Sequence, residues 1–400
     1  MPEDIIKLRK ENFKEPLALS ELERRWHAVR EAMAKENLDC LVMQSHDQHL
    51  GGYVPYFTDL VTSNSYTATV IFPLNDKMTM ISHGAPGVNV NPPAYARPGI
   101  KENISSPYFH TFNFSDTWAA EIAVNTFKKL KIKSLGFVSP AVMSATFSDY
   151  LKDNLPGVEI RNATDLVDEI KAVKSEEELR LIRGTVAMQD KVWGDTLALI
   201  HPGMRGYELR AEIQRLLTYL GSEEQLLSIN SGPATTAVRH AGIRFQNRMF
   251  QKGDAVFLMI EVNGPGGLYG ELGRTVVIGD DIPKPLQTVW DYAVELQDRT
   301  AEAMKPGSDP KELFAMHNKL LTAKGYPPEA RLYAHGQGYD LVERPGIVAE
   351  ETMKIKANMN ITIHPFVVLP NAFAFCCDNF FVTESGAVRI HKTPREVFVV

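Results

Sequence analysis

The feature that most constrains this chain is a repeat inside its second half. Residues 201–221 read HPGMRGYELRAEIQRLLTYLG, and residues 305–325 read KPGSDPKELFAMHNKLLTAKG. Pro202-Gly203 matches Pro306-Gly307, Glu208-Leu209 matches Glu312-Leu313, Leu216-Leu217-Thr218 matches Leu320-Leu321-Thr322, and Gly221 matches Gly325. Every match lies at one offset of 104 residues (Pro202 to Pro306), without a gap. Each copy is a Pro-Gly turn, a run with apolar residues at helical spacing, and a terminating glycine. Strands are expected after each: 225–229 and 254–262 after the first, 331–334 and 358–366 after the second. Two α+β halves related by pseudo-symmetry place a site between them. The offset maps His364 onto Ile260, beside Met259 and Glu261, so the two halves offer side chains at near-equivalent positions on central strands.

The region before the repeat reads differently. Residues 39–45, 68–72 and 77–82 fit strands, 134–138 a further strand, and 118–130 and 142–154 helices, which together predict an α/β domain. Ser20 is placed to cap an amphipathic helix over 21–36, with Glu23 as its capping-box partner. The charged stretch 171–188 has helical spacing and reads as one long connecting helix. The domain boundary is therefore drawn at Val167, giving domains 1–167 and 168–400.

Composition limits the function. With 44% hydrophobic and 23% charged residues, the 400-residue chain can bury substantial cores. A net charge of −6 and no basic run leave nucleic-acid binding without electrostatic support. No apolar run approaches the ~18 residues of a membrane span. The N-terminal MPEDIIKLRKENFKEP lacks the apolar core of a signal peptide. The three cysteines, Cys40, Cys376 and Cys377, are an odd number, which fits reduced thiols and a cytoplasmic protein.

Chemistry concentrates in the repeat region. Glu261 and Glu271 flank the turn-rich VNGPGGLYG, an even separation that lets both carboxylates reach one face of a hairpin. His335 follows in AHGQGYD, His364 in TIHPF, and Cys377 in CCDNFF. Period-two alternation points only one of Cys376 and Cys377 inward. A single Glu on a hairpin is ordinarily solvated and a lone His ordinarily a hydrogen-bonded core residue. Several carboxylates and imidazoles converging from different strands instead suit a divalent metal such as Zn, Mn or Fe. The same groups also suit a metal-free acid–base site. His240, after SGPATTAVR, is a candidate acid or base in a loop.

These residues carry a resemblance. KSEEELRLIR, SGPATTAVRH, KGDAVFLMIEV, GGLYGELGRT, HGQGYDLVERP, NITIHP and NFFVTESG resemble the pita-bread enzymes: methionine aminopeptidase, prolidase, aminopeptidase P, creatinase and the dimethylsulfoniopropionate lyases of that fold. The resemblance implies a C-terminal pita-bread domain with a pseudo-twofold repeat, α+β in class, preceded by a creatinase-like α/β domain. The metallopeptidases of the group hold two metals with two Asp, one His and two Glu. By resemblance, the first Asp falls on or next to Met259, with Glu261 two residues on. The second Asp becomes Glu271, the ligand His is kept as His335, and the two Glu become His364 and Cys377. A substrate-contacting His becomes Val342, while Glu343 and the active-site His240 are kept.

An imidazole offers one lone pair where a carboxylate can bridge two metals, so His364 argues against a dinuclear pair. The expectation is one divalent metal (Fe, Zn or Mn) on Glu261, Glu271, His335 and His364, or a metal-free site as in creatinase. His240, Glu343 and Cys377 are the expected catalytic residues. Phe366, Phe375, Tyr108 and Trp118 are the expected substrate-binding residues. The leading functional expectation is a small-molecule hydrolase or lyase cleaving a C–N, C–S or C–C bond. Its alternatives are a divergent Xaa-Pro metallopeptidase and a catalytically silent binding protein. In the resembled group the N-terminal domain of one subunit often covers the other subunit's site, which implies a homodimer.

Overall fold

The computed structural model describes residues 3–45, 52–60, 66–86, 88–89, 93, 95–107, 116–240 and 246–400. The chain divides into two compact units, Met1–Lys171 and Ala172–Val400.

The first unit contains α1 (Glu3–Asn12), α2 (Leu19–Lys35), β1 (Cys40–Gln44), α3 (Tyr53–Thr58), β2 (Thr69–Pro73), β3 (Met78–His83), β4 (Ile100–Ser106), α4 (Trp118–Leu130), β5 (Ser134–Phe137), α5 (Ala145–Asn154), β6 (Glu159–Asn162) and α6 (Thr164–Lys171). Its six strands form one mixed sheet in the order β4-β3-β2-β1-β5-β6. Val42, Ile71 and Ile81 from the sheet pack with Val124 and Phe127 of α4 and Phe147 and Leu151 of α5. The expected α/β domain is thus present, with two local corrections. Helix α2 starts one residue before Ser20, is flanked by Ala18 and has no side-chain cap. The stretch 171–188 is not one helix: α6 ends at Lys171, and the next helix starts at Glu176 behind Ser175. Ser175 and Glu178 form a reciprocal capping box, which fixes a helix start inside the charged run.

The second unit continues with α7 (Glu176–Leu197), α8 (Gly206–Leu220), β7 (Gln225–Pro233), β8 (Asp254–Asn263), β9 (Tyr269–Val277), α9 (Lys284–Ala303) and α10 (Pro310–Ala323). Then come β10 (Ala334–Gly336), β11 (Glu343–Gly346), β12 (Asn360–Ile363), β13 (Phe366–Leu369), β14 (Ala372–Phe375), β15 (Asp378–Thr383), β16 (Gly386–Arg389) and β17 (Phe398–Val399). One sheet runs β17-β9-β8-β7, the other β11-β10-β12-β15-β16, and β13 and β14 form a separate ribbon.

The repeat is a structural repeat. Helices α8 and α10 occupy its two copies. The paired glycines even share backbone conformation: φ is 90° at Gly203 and 88° at Gly307, and 100° at Gly221 and 78° at Gly325. That left-handed region favours glycine, which explains why these positions match. Gly273 and Cys377, themselves one repeat offset apart, exchange two backbone hydrogen bonds of 3.2 Å. The local two-fold axis therefore passes through this bridge. A Cβ on Gly273 would lie 2.4 Å from the Phe375 ring, so close approach of the halves requires glycine there.

Alternation on the central strands decides which side chains meet. Leu258, Ile260 and Val262 of β8 pack toward Leu209, Ile213 and Leu217 of α8. Ile361 and Ile363 of β12 join a core with Leu313 of α10. The intervening residues, Phe257, Met259 and Glu261 on β8 and Thr362 on β12, face the other way. Helices α7 and α9 each send a buried glutamine to a central strand. Gln189 donates to the Ile260 carbonyl and Gln297 to the Ile363 carbonyl, both at 2.9 Å. Each anchors the residue just before a site side chain.

The expected strand 358–366 is shorter than predicted. It ends at Ile363, and the chain passes through His364 and Pro365 into the separate ribbon. Pro365 has no N–H to continue the ladder. His364 therefore sits at a strand break, where its side chain is free of strand alternation. Strand β10 likewise begins at Ala334 rather than at residue 331.

Candidate metal centre and pocket

The hairpin β8–β9 pairs Glu261 directly with Glu271. Their neighbours come from the second half: β10 carries His335, which pairs with Thr362 of β12, and His364 follows β12. All four candidate ligands are buried. Ligand atoms of Glu271, His335 and His364 lie within 4.8 Å of one another. The His335 Nδ1 lies 2.9 Å from the Gly336 carbonyl, which can only accept. The proton therefore sits on Nδ1, and Nε2 keeps its lone pair, 3.8 Å from Glu271 Oε2. His364 Nδ1 is buried without a hydrogen-bond partner.

Glu261 is not a member of that three-residue cluster. Its Oε1 accepts a 3.1 Å hydrogen bond from Gln337 Nε2. Gln337 is itself fixed: its Oε1 accepts from Asn379 Nδ2 at 2.8 Å, and Asn379 Oδ1 accepts from the Glu271 amide at 2.7 Å. Asn360 Nδ2 completes the amide network at the Gln337 carbonyl, 3.1 Å away. Of the expected ligands Glu261, Glu271, His335 and His364, the last three converge, and Glu261 lies beside them as a carboxylate held by an amide.

The electrostatics follow from burial. Burial, then the facing Glu271, raises the Glu261 carboxyl well above its ordinary range. Burial raises Glu271 to about 7, against hydrogen bonds from Cys377 and Thr362. Burial lowers His335 to about 4, assisted by the Arg331 charge, and lowers His364 well below its ordinary value, assisted by His335. The imidazoles are neutral at neutral pH, as metal binding requires. A buried charge costs several kcal/mol. One charge-assisted hydrogen bond, such as that from Gln337, contributes about 1.5–3 kcal/mol. A proton or a cation must supply the rest for the carboxylate pair. The residues therefore fit a divalent ion, with Glu271, His335 and His364 as its holders.

Two of the expected catalytic residues, Cys377 and Glu343, do not enter the pocket. Cys377 is fully buried, its Sγ 3.2 Å from Thr362 Oγ1 and 3.7 Å from the Glu271 carbonyl. Burial and the Glu271 charge raise its thiol, so it is a packed, protonated neighbour of Glu271 rather than a nucleophile. Cys376 is buried too, near Asp378 and Gln297, so the expectation of one inward cysteine fails because both surroundings are core. All three cysteines are free. Glu343 pairs with Lys174 at 2.8 Å and accepts from the Tyr339 amide at 2.7 Å. Its carboxylate anchors the loop after His335 instead of entering the pocket.

A pocket of about 630 Å³ opens over the cluster. His240, Glu261, Glu271, His335 and His364 all line it. The expected Phe366 and Phe375 are there, with ring centroids 5.2 Å apart, joined by Phe373. His240 is exposed and sits edge-on to Phe257 at 6.2 Å; burial and Arg331 lower its pKa. Val342 lines the wall, 47% exposed. Of the remaining expected substrate residues, Tyr108 lies outside the described residues. Trp118 opens α4 of the first unit, while every pocket residue belongs to the second. Sequence reasoning missed Arg331, Gln337 and Asn379. The polar Gln between the glycines of HGQG was the available signal for Gln337; nothing comparable marked Arg331.

Comparisons with known proteins show the chain's family and fold. The sequence profile of metallopeptidase family M24 matches residues 180–393. The Xaa-Pro dipeptidase of Pyrococcus furiosus is 27% identical over 262 residues, covering 64% of this chain and 73% of that protein. A creatinase from Bacillus sp. is 21% identical over 417 residues, covering 96% of this chain and 93% of that one. An X-Pro aminopeptidase from Thermotoga maritima superposes with a TM-score of 0.78 at 18% identity, covering 94% of this chain and 99% of the other. The prolidase of Pyrococcus horikoshii superposes with a TM-score of 0.72 at 21% identity, covering 94% and 100%. These likenesses show the two-domain pita-bread fold.

Proposed function

The chain belongs to metallopeptidase family M24, and from that premise we propose that it hydrolyses a C–N bond in a small substrate at a single-metal site. Xaa-Pro dipeptides, the substrates named for its curated relatives, are the first class to test. The observation that carries this reading is the convergence of Glu271, His335 and His364 under the pocket. A divalent ion bound there would act as a Lewis acid on a carbonyl oxygen. Glu261, pointed by Gln337 beside Glu271, is placed to hold or release a proton close to the reacting carbonyl. His240, neutral at the pocket mouth, is the candidate to pass a proton to the leaving amine. The attacking water would give its hydroxyl to the carbonyl carbon and a proton to the leaving amine, while the aromatic walls would hold the apolar part of the substrate.

One observation favours a second reading. By the resemblance, His364, Cys377 and Val342 take the positions at which those peptidases carry two Glu and a substrate-contacting His. That substitution set fits cleavage of a non-peptide small molecule, by hydrolysis or elimination, on the same residues. The deciding experiment purifies the protein without chelator, counts metal by inductively coupled plasma mass spectrometry, and assays a panel of Xaa-Pro dipeptides. About one ion per chain with dipeptide hydrolysis supports the first reading. One ion without peptide hydrolysis moves the case to the second. Two ions per chain would overturn the single-metal site.

A further inference from the structure

A line of polar side chains runs from α7 to Glu261. Asp190 of α7 holds the segment after β16. Its Oδ1 accepts from the Thr393 amide at 2.9 Å and from Thr393 Oγ1 at 2.6 Å, and its Oδ2 accepts from the Lys392 amide at 2.8 Å. Burial would raise this carboxyl, but the His391 ring and the Thr393 and Lys392 bonds hold it below its usual range, so it stays an acceptor. His391 is buried between two oxygens: its Nδ1 lies 3.4 Å from Asp190 Oδ1 and its Nε2 3.4 Å from Asn379 Oδ1. An amide oxygen can only accept, so Nε2 carries a proton and donates. The same Asn379 oxygen takes the Glu271 amide at 2.7 Å, which occupies its second lone pair. Asn379 Nδ2 then donates to Gln337 Oε1 at 2.8 Å and to Asn360 Oδ1 at 3.2 Å. Gln337 Nε2 donates to Glu261 Oε1 at 3.1 Å and to the Leu341 carbonyl at 3.2 Å. Every member of the line from His391 to Glu261 is buried.

We infer that His391, held by Asp190, is a positioning residue: together with the Glu271 amide it locks Asn379 in the one orientation that makes Gln337 offer N–H to Glu261. Each bond in the line has a direction, and the directions depend on one another. Turning the Asn379 amide over would set its NH2 against two donors and an oxygen against Gln337 Oε1. Gln337 would then have to turn as well, which would set its own carbonyl oxygen against Glu261 and the Leu341 carbonyl. His391 supplies the donor that resists this reversal. Amides do not readily take up and pass on a proton, so the line transmits orientation and not protons. The effect on turnover rests on the proposed role of Glu261, whereas the orientation of Gln337 is readable without turnover.

The test reads the Gln337 side-chain amide by NMR on the full chain labelled with 15N-glutamine, its signal assigned by its loss in Gln337→Leu. Both of its protons are bonded in the wild type, so they should exchange slowly after transfer to D2O. His391→Leu removes the donor and keeps an apolar filling, and should speed this exchange by roughly tenfold, the effect of one lost hydrogen bond. On Xaa-Pro dipeptides kcat should fall by about tenfold with KM within about twofold, and metal content should stay that of the wild type. His391→Gln, which can still donate to Asn379 Oδ1, should recover most of both losses. Should His391→Leu fail to fold by thermal melting, Asn379→Asp serves instead. It keeps the acceptor for His391 and the Glu271 amide but replaces the N–H that Gln337 Oε1 accepts, so it should shift the Gln337 signal. Wild-type exchange in His391→Leu, equal losses in the Leu and Gln variants, or an unshifted signal in Asn379→Asp would each overturn the inference. Faster exchange with wild-type kcat would instead sink the role of Glu261 in the proposed reaction and leave the positioning of Gln337 standing. The exchange measurement decides the inference even where no dipeptide is hydrolysed.

Discussion

At the scale of single residues, the centre is defined by what each side chain cannot do alone. His335 has its Nδ1 committed to the Gly336 carbonyl, so its remaining lone pair has one direction to offer. His364 has a buried nitrogen with no partner, a costly state that a ligand position explains. His335→Ala should therefore reduce bound metal from about one ion per chain to near zero, while far-UV circular dichroism stays that of the wild type. Wild-type metal content in this variant would remove His335 from the ligand set. Substituting Gln337 by Leu should leave the three ligands in place but release Glu261 from its amide donor. The expected result is unchanged metal content with kcat reduced by about tenfold to a hundredfold, as for other lost orienting hydrogen bonds. A normal kcat would show that the position of Glu261 is immaterial.

At the scale of elements, the two repeat helices are alike in sequence yet differ in what they bury. Helix α10 carries His317, fully buried and stacked on Tyr333 at 3.6 Å, with neither ring nitrogen bonded. Burial lowers its pKa from 6.5 to about 3. A folded-state value depressed below the unfolded one means that the unfolded chain takes up the proton first. Stability is therefore full above pH 6.5 and falls as the pH drops toward 3. His317→Phe keeps the stacked ring and removes the titration. Relative to its value at pH 7.5, the stability of this variant should gain on the wild type by on the order of 2 kcal/mol at pH 5. Urea melts at the two pH values measure this, and a pH-independent difference would contradict the linkage.

At the scale of the whole molecule, the second unit is two α+β halves of the same plan joined at the Gly273–Cys377 bridge. Beside the Gly273–Cys377 bridge, Arg274 and Asp378, again one repeat offset apart, form an ion pair of 2.7 Å with both side chains fully buried. Arg274 also donates to the carbonyls of Gly273, Cys377 and Pro394, each at 2.8 Å. A pair so well bonded ties the sheets together, and breaking it leaves an uncompensated buried guanidinium. Asp378→Ala should cost about 3–5 kcal/mol in denaturant unfolding; a loss below about 1 kcal/mol would mean that the joint is not a stabilising one. No helix among the described residues is long and apolar enough to cross a membrane. The homodimer implied by the resemblance is read by sedimentation, where a single-chain mass would exclude it.

Much of this was legible in the sequence because it is local or periodic. The 104-residue repeat appears in the glycines as well as the helices, since a left-handed turn admits few other residues at Gly203, Gly221, Gly307 and Gly325. The pairing of Glu261 with Glu271 follows from an even separation across a turn that keeps register. The identities of His335 and His364 as partners of Glu271 followed from the resemblance and the repeat. The roles of Cys377, Glu343 and Glu261 depend on long-range neighbours: Thr362, Lys174 and Gln337 respectively. A carboxylate or thiol carries the same letter in the sequence whether it is a ligand, an anchor or core. What separates these roles is burial and the partner that arrives from elsewhere in the chain, and for those only tertiary structure decides.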